Sequence, residues 1–203
     1  MAMSELTTAP YPRLTWNVPN IVTGTRVVLA AYVGYLLYQR LPDGIATAGI
    51  LLIVAASTDA LDGFLSRRLK QATTGGALFD LVADELLFMP ALILAIRAGL
   101  FVRTAGLVLL NPYLYALPAL AGGASVLAGV GVFLWKRRSR VLDFPSPPVV
   151  AKTNYWFWLA PLIVAVLHIG PDILLAVLMY MALVSTILTF YAYLKKGAYV
   201  FTD

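Results

Sequence analysis

This sequence predicts an all-α, polytopic integral membrane protein of about six transmembrane helices. Composition is the first reason. The chain is 61% hydrophobic and 12% charged, with a mean hydropathy of +0.83, which excludes an ordinary soluble domain. The second is segmentation: polar, proline- and glycine-bearing stretches divide the 203 residues into apolar runs of about 20. The third is charge placement, because the basic residues gather between those runs. The expected organisation is a cytoplasmic N-terminal segment over 1–18, a six-helix catalytic domain over 19–196 and a short cytoplasmic tail over 197–203.

Residues 1–16 are polar and proline-broken, and no small-residue cleavage site follows them, so they read as a cytoplasmic lead-in and not a secretory signal. Pro19 opens the first span, about 19–38, at a first-turn position where a missing N–H is harmless. The second and third spans cover about 44–65 and 76–96. Residues 100–111 form a short apolar segment, and a fourth span follows over about 113–135. The proline-bearing stretch 139–151 reads as a loop. Spans five and six, about 155–169 and 173–194, are divided by Gly170-Pro171-Asp172.

Charge sets the orientation. Arg13, Arg67, Arg68, Lys70, Lys136, Arg137, Arg138, Arg140, Lys152, Lys195 and Lys196 fall on one side, and Arg40, Arg97 and Arg103 on the other. That asymmetry predicts both termini in the cytoplasm and explains the net charge of +5 without nucleic acid as a partner. The chain has no cysteine and one histidine, His168, so thiolate and multi-histidine metal sites are excluded. His168 falls near an outer helix end and is given no catalytic role.

Against this apolar background stand four aspartates, Asp59, Asp62, Asp80 and Asp84. A charged side chain at membrane depth costs about 2.5–3.5 kcal/mol on insertion scales, so something strongly positive must sit among them. Asp59 and Asp62 are three apart, and Asp80 and Asp84 four apart, so each pair shares a helix face. The helices are antiparallel neighbours, which brings the four carboxylates into one pocket at the cytoplasmic face. An oxygen-only donor set suits magnesium, manganese or calcium better than zinc, and two ions would fit displacement at phosphorus. Gly63 and Gly76 leave room beside the carboxylates, Ser66 adds a hydroxyl, and Arg67 can grip a phosphate through two bonds. The bland alternative makes the aspartates partners of Arg67, Arg68 and Lys70.

The run from Asp59 through Asp62, Gly63, Ser66, Arg67 and Gly76 to Asp80 and Asp84 resembles the CDP-alcohol phosphotransferase signature, D-x-x-D-G-x-x-A-R, eight residues, G-x-x-x-D-x-x-x-D. Every fixed position and spacing agrees except Ser66, which stands for alanine. The resemblance implies displacement of CMP from a CDP-linked lipid by an alcohol. It implies that Asp59, Asp62, Asp80 and Asp84 ligate two divalent ions and that Asp84 is the general base. Gly63, Ser66, Arg67 and Gly76 would line the pocket for CMP and its diphosphate.

The opening Asn17-Val18-Pro19-Asn20-Ile21-Val22-Thr23-Gly24-Thr25-Arg26 resembles the N-x-P-N-x-x-T-x-x-R head of phosphatidylglycerophosphate synthases and related cardiolipin synthases. This implies CDP-diacylglycerol as donor and a glycerol-type alcohol as acceptor: glycerol 3-phosphate first, phosphatidylglycerol second. Arg26, Lys152 and Arg138 are the candidate acceptor-binding cations, with a snorkelling Arg26 as the bland reading. The chain departs from those relatives at Glu85, where a basic residue is usual, and at Asn154, which leans toward the cardiolipin type.

The basic run Lys136 to Arg140 suits anionic headgroups of the bilayer, and Trp156 and Trp158 suit its interface. Ala121, Ser125 and Gly129 form a small-residue face for packing within the chain or across a homodimer. A different class, a cation transporter, would spread acids over several spans, and spans four to six carry none in their cores. The expected location is a bacterial inner membrane or an organellar equivalent.

Overall fold

The computed structural model describes residues 18–69, 74–104, 117, 123 and 149–198. Among them every regular element is helical: α1 Val18–Gln39, α2 Pro42–Leu69, α3 Thr74–Arg97, a 3-10 turn Val102–Thr104, α4 Val149–Leu167 and α5 Asp172–Ala198. Five of the expected spans each meet a helix. Of the fourth only residues 117 and 123 are described, both helical; the basic run and the faces of Ala121, Ser125 and Gly129 lie outside the described residues.

The helices overrun the expected spans. α2 continues to Leu69, α5 to Ala198, and α4 begins at Val149, inside the stretch expected to be a loop. The reason is physical. Hydropathy marks where lipid gives way to water, whereas the helical hydrogen-bond ladder runs on for as long as each carbonyl finds its amide. Among the described residues, two helices are long and apolar enough to cross a membrane, over Asn20–Gln39 and Asp172–Ala192. Pro42–Thr58 and Thr153–Leu167 are shorter apolar stretches, the first ending where Asp59 begins.

The helix ends have clear local causes. Arg40 takes φ 54° after α1, and Pro42 then starts α2, where proline's fixed φ fits the first turn. At the end of α3, Gly99 adopts φ 77° and the Leu100 amide donates back to the Ala95 carbonyl at 3.1 Å. α4 closes in the same way with a side chain in the left-handed position: His168 has φ 52° and the Ile169 amide reaches the Val164 carbonyl at 3.2 Å. His168 is therefore part of a helix terminus.

Packing follows one stripe per helix. α1 buries Ala30, Val33 and Leu37, α2 buries Ala48, Leu52 and Ala55, and α3 buries Leu87, Ala91 and Ala95. These three- and four-residue spacings keep one face inward. The alanines let backbones approach closely, which matters where lipid removes any hydrophobic force between helices. α1 packs on α2 and α3, while α4 and α5 form a hairpin joined to the rest through α2 and α3. An edge-to-face contact of Phe88 with Tyr155, at 5.9 Å, links α3 to α4. The outer surface is apolar instead of polar, with Val28 and Tyr35 exposed on α1 and Val184, Ile187 and Phe190 exposed on α5. That inversion suits a lipid surround.

Trp158 corrects an expectation. It is 2% exposed and its Nε1 donates to Thr186 Oγ1 at 2.8 Å, so it ties α4 to α5 and does not rest at the interface. Trp156, two residues away, is exposed.

Gly49 fixes the approach of α2 to α4. A Cβ there would collide with Leu167 Cγ and Cδ2 and press on Val166 Cγ1. Gly24 on α1 is the contrast: among the described residues nothing lies within 4 Å of an added Cβ. Gly49→Ala is expected to cost about 1–3 kcal/mol by overpacking. Gly24→Ala is expected to gain about 0.5–1 kcal/mol from helix propensity. Thermal unfolding in detergent, followed by circular dichroism, should move in opposite directions for the two; equal shifts would refute the close contact.

Candidate functional site

The inward stripe of α1 starts polar. Asn20, Thr23 and Arg26 are 8%, 2% and 0% exposed and precede the apolar Ala30, Val33 and Leu37 on the same face. The stripe of α3 has the same order, with Asp80 and Asp84 ahead of Leu87 and Ala91. α2 runs the other way, and its buried positions 48, 52 and 55 continue in register to 59 and 62 near its far end. An up-down-up arrangement thus gathers the polar segments of three helices at one end and leaves the apolar segments at the other.

Arg26 is the centre of that polar end. Its Nη1 donates to Asp80 Oδ1 at 2.9 Å and to Asp84 Oδ1 at 2.6 Å. The arginine side chain has no solvent exposure, while those of Asp80 and Asp84 keep 39% and 19%. Both bonds join an ionised donor to an ionised acceptor, the stronger class of hydrogen bond. The aspartates are one turn apart on α3, so a single nitrogen spans them and draws both carboxylates toward α1. This burial excludes the snorkelling reading of Arg26.

The other expected site residues divide by what is described. Gly76 is half-buried in the first turn of α3. The backbone positions of Asp59, Asp62, Gly63, Ser66 and Arg67 lie on the last turns of α2, but their side chains are outside the described residues. The same holds for the side chain of Lys152, on the first turn of α4, and for Arg138 altogether. The structure therefore unites Arg26, Asp80 and Asp84, which the sequence placed in separate roles. Arg26 stood out in the sequence as a lone cation at membrane depth, and such a cation requires an acidic partner. That requirement was the available signal, and the acids on α3 answer it.

Glu85, where a basic residue is usual in the resembled proteins, is buried beside this end. It is 9% exposed, and among the described residues its Oε2 has no hydrogen-bond partner. Gly123 makes room for it, since a Cβ there would stand 2.5 Å from Oε2 and 2.8 Å from Met89 Sδ. Asn154 is engaged on the far side of α4. Thr186 Oγ1 receives the Trp158 proton and shares its own between the Ala182 carbonyl at 3.0 Å and Asn154 Oδ1 at 3.1 Å.

The donor chemistry at the polar end is oxygen from carboxylates, which fits a hard divalent cation. Asp80 and Asp84 already converge on one positive nitrogen, so their arrangement is that of groups built to share a cation. Among the described residues no group of three or more potential ligands gathers, since only these two of the four aspartates have described side chains.

Comparison with known proteins adds a second kind of observation. A family model described as CDP-alcohol phosphatidyltransferase matches residues 16–191. The chain is 41% identical over 81 residues to a Pseudomonas fluorescens protein named CDP-diacylglycerol–glycerol-3-phosphate 3-phosphatidyltransferase, over 40% of this chain and 42% of that protein. It is 37% identical over 81 residues to a protein of the same name from Escherichia coli K12, over 40% of this chain and 44% of that one. The chain thus spans less than half the length of these relatives in each match.

Arg26→Met should leave two poorly compensated carboxylates. The expected cost is on the order of 3 kcal/mol, at the low end for a broken buried pair because Asp80 keeps partial access to water. Adding Asp80→Asn and Asp84→Asn to Arg26→Met should recover part of that loss. Unfolding free energies in mixed micelles provide the check, and strictly additive losses would contradict the ion pairing.

Proposed function

Because the chain belongs to the CDP-alcohol phosphatidyltransferase family, we propose that it moves a phosphatidyl group from CDP-diacylglycerol to glycerol 3-phosphate and releases CMP. The observation that supports this most is the convergence of Asp80 and Asp84 at the polar end of the helices, inside the signature that carries the family pattern. The two relatives bear the name of that reaction.

In this reading Asp59, Asp62, Asp80 and Asp84 hold the metal. Mg2+ or Mn2+, as two ions, would offset the diphosphate charge and stabilise departing CMP. Arg67 holds a diphosphate oxygen, and Gly63, Ser66 and Gly76 leave the CMP moiety room to lie against the helices. Asp84 takes the proton from the acceptor hydroxyl. The hydroxyl oxygen then forms its bond to the phosphatidyl phosphorus as the bond from that phosphorus to the CMP oxygen breaks. Lys152 and Arg138 are assigned to the phosphate of the acceptor.

The six-span layout, with the domain over 19–196 and both flanking segments in the cytoplasm, belongs to the same proposal. It places the polar end at the cytoplasmic face of a bacterial inner membrane, where a lipid donor and a water-soluble acceptor can both arrive. Cardiolipin synthesis from phosphatidylglycerol is the alternative reading. Asn154, the residue that leaned toward it, is engaged with Thr186 in helix packing.

Release of CMP from CDP-diacylglycerol should require a divalent cation and fall at least about 100-fold in Asp80→Asn, the scale of a lost catalytic contribution. Full turnover in excess chelator would refute the metal assignment. Arg67→Ala should raise the KM for CDP-diacylglycerol about 10-fold with little change in that for glycerol 3-phosphate. The reverse pattern would move Arg67 to the acceptor.

A further inference from the structure

We propose that Arg26 is a positioning residue for the divalent cation: its buried guanidinium holds the Asp80 and Asp84 carboxylates converged in the orientation in which they meet the ion. This rests on the reading of those aspartates as metal ligands.

Three observations carry it. Arg26 is wholly buried and comes from a different helix, 54 and 58 residues from its partners, so the pairing is a tertiary feature. One nitrogen, Nη1, serves both carboxylates, at 2.9 and 2.6 Å. Its two protons lie in the guanidinium plane, so the directions of both bonds are fixed together. The carboxylates are also one helical turn apart, about 6 Å along the axis. Two anions at that spacing repel, and unrestrained side chains would settle in diverging rotamers. Gathering them would then fall to the ion itself. A guanidinium already in place removes that cost, as outer partners of metal ligands do elsewhere.

Arg26 is placed to act on the ligands and not on the substrate. The polar stripe of Asn20 and Thr23 on the same face of α1 is also buried, so this side of the helix is committed to the protein interior. A rival role predicts the opposite sign. If Arg26 merely occupied the place of the ion, removing it would tighten metal binding. If it served only the fold, removing it would lower stability and leave the affinity of the folded protein unchanged.

The test is Mn2+ binding to the full chain in detergent micelles, with free Mn2+ read by electron paramagnetic resonance and helical content by circular dichroism. Per folded molecule, Arg26→Met should bind Mn2+ about 10–100-fold more weakly than wild type. Arg26→Lys keeps the charge but loses the planar fork, and should bind about 10-fold more weakly with unchanged helical content. Wild-type or tighter affinity in folded Arg26→Met overturns the proposal. Should Arg26→Met fail to fold, Arg26→Lys decides, and wild-type affinity there overturns it equally. No Mn2+ binding by wild type, or unchanged affinity in both Asp80→Asn and Asp84→Asn, would instead refute the metal-site reading and the proposal with it.

Discussion

A buried arginine between two aspartates is the interaction on which the rest of this structure depends. An isolated charge at membrane depth costs several kcal/mol, and pairing is the way to keep it there. Arg26, Asp80 and Asp84 satisfy that requirement for one another. Their pairing fixes how far α1 may slide along α3 and how each may rotate, because a shift of one residue would turn Arg26 away by about 100°. The apolar stripes then follow in register, Ala30, Val33 and Leu37 on α1 and Leu87, Ala91 and Ala95 on α3.

The polar and apolar ends of the helices do different work. At the apolar end alanines and Gly49 set close approach, and the exposed outer faces are hydrophobic. There, packing alone decides the geometry. At the polar end, charge decides it. The proposed reaction needs both, since its donor would be dissolved in the bilayer while the group to be moved is an anionic phosphate. Glu85 marks the boundary: one residue beyond Asp84 it is buried in the lee of Gly123, with an oxygen that no described residue bonds.

Much of the fold was legible because lipid imposes simple rules. An apolar run of span length, opened by Pro19 or closed before Gly170, has few structures open to it. Helix ends were less legible, as α4 shows by starting at Val149, because a helix does not stop where lipid does. The aspartate pairs could be read since their spacing is local, within one helix face. The partnership of Arg26 with Asp80 could not, since 54 residues separate them and no periodicity connects separate helices. Trp158 was misread for a related reason: its aromatic character suits an interface, but only the fold shows that its side of α4 faces Thr186.

The contact at Gly49 has a mechanical consequence. It is a tight backbone-to-side-chain seat on α4, ten residues before Asp59 on the same helix. Ten residues of helix are about 15 Å of rigid arm. A tilt of only about 4° around that seat would carry the aspartate end about 1 Å, several times the spread of a metal–oxygen bond length. Gly49 is in this sense a fulcrum. Helices in membranes change tilt to match bilayer thickness, and a change of tilt about Gly49 would displace the far end of α2.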